Sequence, residues 1–220
     1  MKQKKLVIFD WGGVIESHKD GEYNYKIIYK KILKRMGLKE IPDDFLEKIF
    51  SCNRDENRKH IFAENSKEGI NKYIERFYKV FGLSCTKKEI DEFKIIYLEE
   101  FEKSHYYKDI SKYIASLEDV CYVGVLSNLI TLDGVRIRNQ INFSKLDFRW
   151  LSYEMNSNKP DEGIFIKVLK ECKFNPSDIL FLDDSIENLK TAHNLGFKTY
   201  LVNGYDFDNI KKTIEDFLRN

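Results

Sequence analysis

The chain has 220 residues, 42% of them hydrophobic and 14% aromatic, and its 37 Lys and Arg nearly balance 36 Asp and Glu, for a formal net charge of +1. That length carries one sizeable core plus a smaller accessory domain, and the evenly scattered charge supplies no basic field for nucleic acid. No apolar run approaches the roughly 20 residues that cross a bilayer, and MKQKK passes into a strand pattern without the apolar stretch of a signal peptide, which predicts a cytoplasmic monomer or homodimer with no membrane partner.

Leu6, Val7, Ile8 and Phe9 form an unbroken apolar run, so a buried strand is expected with Asp10 at its C-terminal end and Gly12 and Gly13 opening a tight loop. ESHKDGE reads as a polar turn. Beyond it the periodicity is helical: Tyr25, Ile28, Tyr29, Ile32 and Leu33 predict a helix over about 23–36. IPDDFLEKIFSC predicts a second after Pro42, and KEGINKYIERFYKVFG a third ending near Gly82. TKKEIDEFKIIYLEEF predicts a fourth, with Thr86 as N-cap and Glu89 completing a capping box. A purely helical block placed straight after a first strand predicts a cap domain over 19–104, inserted into a core made of 1–18 and 105–220. The boundaries fall near His18 and His105.

After the block the pattern alternates. DISKYIASLED is helical, YVGVLSN a buried strand, LITLDGVRIRNQI a helix and FRWLSYE a short strand. DEGIFIKVLKECK is a helix, DILFLDD a strand, IENLKTAHNLGF a helix ending at Gly196, KTYLV a last strand and FDNIKKTIEDFLRN a closing helix. This order predicts an α/β fold with a doubly wound parallel sheet. Cys52, Cys85, Cys121 and Cys172 are widely spaced without a CxxC pair and are expected to be reduced and structural.

Chemistry collects where the strands end. Asp183 and Asp184 follow Ile179–Leu182 as Asp10 follows its own strand, and in one parallel sheet both sets reach the edge where ligands bind. Three converging carboxylates repel unless a cation lies among them, and hard oxygen donors with room for phosphate and water suit Mg2+. Ser127 and Asn128 end another strand with short donors for phosphate oxygens. Lys159, restrained by Pro160, can neutralise a phosphoryl group and the carboxylate that attacks it.

Taken together these residues resemble the haloacid dehalogenase superfamily, over the whole chain. Asp10 stands in its nucleophile motif, Ser127 in the second motif, Lys159 in the third, and Asp183-Asp184-Ser185 with Asn188 in the acidic fourth. SNKPDEGIF and NPSDILFLDDSIENLKTAHNLG look like the bacterial branch that includes α-glucose 1-phosphate phosphatases. The resemblance implies a Rossmann-like core and an aspartyl-phosphate formed on Asp10. It implies Mg2+ held by Asp10, the Gly12 carbonyl and Asp184, with Asp183 acting through metal-bound water. Ser127 and Lys159 would bind the transferring oxygens, Asn128 would lie near the phosphoryl or substrate side, Trp11 could line the pocket or pack in the core, and Asn188 would orient the acidic loop.

One position departs from the pattern. Phosphatases of this superfamily usually carry a second aspartate two residues after the nucleophile, as acid and then base, and here Gly12 stands there. Such a group is worth about 10²–10⁴-fold, so anomeric or acyl phosphates, with more acidic leaving groups, suffer least from its loss. His18 and His60 are candidates to replace it. FDWGGV also resembles the phosphonoacetaldehyde hydrolase motif, which relies on a cap lysine, and Lys48 and Lys59 are available. A non-catalytic binding descendant is a further alternative. The paired acids argue against a 2-haloacid dehalogenase, and their late position argues against a phospho-accepting receiver domain.

Overall fold

The computed structural model describes residues 4–17, 25–52, 67–102, 105–138, 145–204 and 206–219. Strand β1 (Leu6–Phe9) leads to the short β2 (Glu16–Ser17), and four helices follow: α1 (Tyr25–Arg35), α2 (Phe45–Ser51), α3 (Lys67–Val80) and α4 (Lys87–Glu102). Then come β3 (His105–Tyr106), α5 (Lys108–Ser116), β4 (Tyr122–Ser127), α6 (Thr131–Ile137), β5 (Phe148–Leu151) and α7 (Ser152–Met155). The chain closes with α8 (Glu162–Cys172), β6 (Ile179–Asp183), α9 (Ile186–Asn194), β7 (Lys198–Leu201) and α10 (Phe207–Arg219).

Five strands form one parallel sheet in the order β5-β4-β1-β6-β7. Connections run outward from β1 in one direction through β4 to β5, then return to the other side through β6 to β7. The crevice at such a reversal, beyond the carboxyl ends of the strands, is where open α/β sheets bind ligands. Strand residues alternate between two buried clusters. Val7, Phe9, Val123, Val125, Leu180 and Leu182 face one, and Leu6, Ile8, Leu126, Ile179 and Phe181 the other. Burial on both faces explains why these strands read as continuous apolar runs, and each such side chain stabilises the fold by roughly 1.5–3 kcal/mol relative to exposure.

The helical block has its own core, built from Ile28, Ile32, Phe45, Ile74, Phe77, Phe93, Tyr97 and their neighbours. Ile130 and Leu132, from the start of α6, join that cluster, so α6 is where the block meets the sheet domain. At its base, β2 pairs antiparallel with β3. Glu16 and Ser17, expected in a polar turn, therefore form a strand, because their partners lie some ninety residues on and no local pattern announces the pairing. Ser152, Tyr153 and Glu154, expected to extend β5, instead form α7. Among the described residues no helix is long and apolar enough to cross a membrane.

Candidate active site

Adjacent parallel registers bring three strand ends together. Phe9 lies beside Val125 of β4 and Leu182 of β6, so Asp10 and Asp183, one residue on, and Ser127, two residues on at the end of β4, reach the same edge. The Asp10 carboxylate is almost wholly buried. Its Oδ1 accepts the Ser127 hydroxyl at 2.7 Å and the Trp11 main-chain N–H at 2.6 Å, and lies 2.9 Å from the Lys159 ammonium. Lys159 Nζ also donates to Asp183 Oδ2 at 2.6 Å.

Asp183 is fully buried and its carboxylate is heavily engaged. Besides Lys159 it accepts the Ser185 N–H at 2.8 Å and the Asn188 amide at 3.0 Å on both oxygens. Asn188 thus orients the acidic loop, as expected of it. Asp184 is more exposed and lies over the glycine loop, where a Cβ on Gly13 would stand 2.4 Å from its Oδ2. With φ at +75°, Gly13 meets both requirements that only glycine satisfies, the left-handed backbone and the close approach.

Electrostatics follow from this burial. Desolvation pushes the Asp10 carboxyl up to about 7, with Lys159 pulling down and Asp183 adding to the rise. Burial alone would lower Lys159, yet Asp10 and Asp183 outweigh it and hold the ammonium charged. Oxygens of Asp10, Asp183 and Asp184 lie within 4.8 Å of one another, and one ammonium among three carboxylates leaves a charge that a divalent cation would balance. The donors are hard oxygens, which fit Mg2+.

The sequence matches the family model of the haloacid dehalogenase-like hydrolases over residues 7–202. The chain belongs to this family. A haloacid dehalogenase-like hydrolase from Porphyromonas gingivalis superposes with a TM-score of 0.69 at 24% identity, covering 98% of both chains. A haloacid dehalogenase family enzyme of Bacteroides thetaiotaomicron, solved in complex with magnesium and inorganic phosphate, superposes with a TM-score of 0.71 at 21% identity, covering 94% of this chain and 98% of that one. Among curated relatives, D-ribitol-5-phosphate phosphatase of B. thetaiotaomicron is 37% identical over 54 residues, 24% of this chain and 26% of its own length. Enolase-phosphatase E1 of Sulfurihydrogenibium sp. is 34% identical over 83 residues, 34% of this chain and 36% of its own. The matches thus span about a quarter and a third of those curated relatives.

Two residues expected at the substrate are engaged within the protein. Trp11 is fully buried in the core, its indole N–H donating to Glu16 Oε2 at 2.7 Å, and so does not line a pocket; an indole this large lowers its free energy more by packing than by facing water. Asn128 is engaged with the backbone of Lys159. Its Nδ2 donates to the Lys159 carbonyl at 2.7 Å and its Oδ1 accepts the Lys159 N–H at 2.9 Å, so it clamps both sides of the lysine's backbone beside the cis Lys159–Pro160 bond. Gly12 forms a bridge with Glu16. Lys48 on α2 is ion-paired at 2.5 Å with Asp44, which precedes the helix, whereas His18, Lys59 and His60 lie outside the described residues. All four cysteines are free. Sequence reasoning missed a buried polar group behind the site, Glu16, Arg136, Asp133 and Tyr97, whose only local trace is the i,i+3 spacing of Asp133 and Arg136.

Proposed function

We propose that this hydrolase is a Mg2+-dependent phosphatase of small phosphorylated metabolites, working through an aspartyl-phosphate on Asp10. The observation that carries the reading is the asymmetry of the Asp10 carboxylate: the hydrogen-bond donors found around it, Trp11 N–H and the Ser127 hydroxyl, together with Lys159, gather on Oδ1. Oδ2 is then the oxygen that attacks. It forms a bond to phosphorus as the bond to the leaving oxygen breaks, and the leaving group departs with that electron pair. Water next attacks phosphorus, the bond to Asp10 breaks, and phosphate leaves. Lys159 and Ser127, withdrawn from Oδ1, hold the transferring oxygens.

Asp10, Asp184, the Gly12 carbonyl and, through water, Asp183 are the groups to hold Mg2+, which would supply charge neutralisation at the phosphoryl oxygens. Asp183 is supported in an indirect role by its engagement with Lys159, Ser185 and Asn188. We read residues 19–104 as a cap on a core made of 1–18 and 105–220, which closes to exclude water and select the substrate. The separate helical core around Phe77 and Phe93 supports that division. Glycine at position 12 favours substrates with acidic leaving groups, sugar 1-phosphates or acyl phosphates, in the cytoplasm. The test is a screen of phosphorylated metabolites with Mg2+ on wild type and Asp10→Asn. Turnover confined to the wild type is expected; turnover that survives Asp10→Asn removes the nucleophile assignment, and no turnover of any compound moves the reading to a binding protein.

A further inference from the structure

Behind the Asp10 loop, Glu16 and Arg136 form an ion pair whose side chains are 0% and 4% exposed. The guanidinium donates from Nη1 to Oε1 and from Nη2 to Oε2, the second at 3.0 Å, the two-pronged fit to a carboxylate that arginine alone makes. On one side the pair reaches the nucleophile. Glu16 Oε2 accepts the Trp11 indole N–H, the Trp11 main-chain N–H donates to Asp10 Oδ1, and the Glu16 carbonyl accepts the Gly13 N–H at 2.8 Å.

On the other side the pair reaches the helical block. Arg136 lies 3.6 Å from Asp133 and 5.4 Å from the centre of the Phe101 ring, while Asp133 accepts the Tyr97 hydroxyl at 3.0 Å. Tyr97 and Phe101 both belong to α4, and within the block their rings lie 6.4 Å and 5.4 Å from the ring of Tyr29 on α1. A buried ion pair is weak evidence for stability, since apolar residues of similar volume often do as well. Its directional bonds do fix how two elements sit against each other.

We propose that Arg136 is a positioning residue that couples the Asp10 loop to helix α4, so that displacement of the helical block is felt at the nucleophile through Glu16 and Trp11. What the loop does chemically rests on the phosphatase reading; the mechanical link does not. The test is a double-mutant cycle of Tyr97→Phe, which removes one hydroxyl on the α4 side, with Arg136→Met, or with Glu16→Gln should Arg136→Met not fold. Each variant is read well below its melting temperature by kcat and KM for acetyl phosphate with Mg2+, and by amide hydrogen exchange over residues 10–17.

Tyr97→Phe is expected to lower kcat roughly three- to ten-fold with little change in KM, and to speed exchange across residues 10–17. Added to Arg136→Met it should change neither further, and Arg136→Lys, which keeps the charge but not the second prong, should behave like Arg136→Met in the cycle. Additive effects on both readouts, or unaltered exchange over residues 10–17 in Tyr97→Phe, overturn the coupling. If the wild type does not turn over acetyl phosphate, exchange alone decides the coupling, while the phosphatase reading falls only if every compound of the metabolite screen also fails.

Discussion

Asp10 carries its charge in a buried place beside Asp183, and the fold therefore holds its proton more tightly than the open chain does, near 7 against 3.8, chiefly through desolvation. For an acid raised on folding, stability is full below the unfolded value and falls as pH climbs toward the folded one. Lys159, raised above 10.5, titrates outside that window. Metal-free protein should lose melting temperature between pH 4 and 7 (roughly this window), while Asp10→Asn lacks that slope. Calorimetric melting in chelator should show the asparagine variant gaining on wild type as pH rises; parallel curves would count against the buried charge. Gly13 is the second decisive residue. Gly13→Ala places a methyl against the Asp184 carboxylate and should weaken Mg2+ binding roughly 10- to 100-fold, the range for changes that misplace metal ligands, as read by titration calorimetry.

At the scale of elements, the helices and strands owe their ends to a few polar side chains. One half of the expected box forms at the start of α4: Glu89 Oε2 accepts the Thr86 N–H at 2.9 Å, while the Thr86 hydroxyl caps the Lys88 N–H at 3.2 Å in place of that of Glu89. Thr86→Ala should destabilise the protein by about 1 kcal/mol, measured by urea unfolding, without changing kcat. The end of β4 works differently. Asn128 joins it to the loop before α8 by gripping the Lys159 backbone, so Asn128→Ala should lower kcat about tenfold or more through a misplaced lysine, since even about 1 Å of displacement is costly in a preorganised site. A variant that raises KM alone would return Asn128 to the substrate.

For the whole molecule, the strand order matters most. Placing β1 between β4 and β6 unites groups from residues 10, 127 and 183 at one edge, while the intervening helices build a core of their own. The lack of an acidic side chain at position 12 falls in the loop beside this edge. If it limits the rate, Gly12→Asp should accelerate alkyl phosphate hydrolysis about 10²-fold or more, in the range of a positioned acid, and acyl phosphates less, as steady-state assays on the two classes would show. Equal gains would remove the leaving-group argument.

Much of this is legible in the sequence. Apolar runs, helical periodicity, the Thr86 cap and the acids at strand ends are local features, readable because backbone geometry repeats over two or about 3.6 residues. They were enough for the parallel sheet, the helical block and the gathering of Asp10, Ser127, Lys159, Asp183 and Asp184. Tertiary structure alone decided the rest. It paired β2 with β3, turned Trp11 into the core, placed the Asn128 amide on Lys159, and joined Glu16 to Arg136 across 120 positions. Those choices depend on which distant groups can satisfy a buried charge or hydrogen bond, and no local pattern in the chain encodes a partner that only folding brings near.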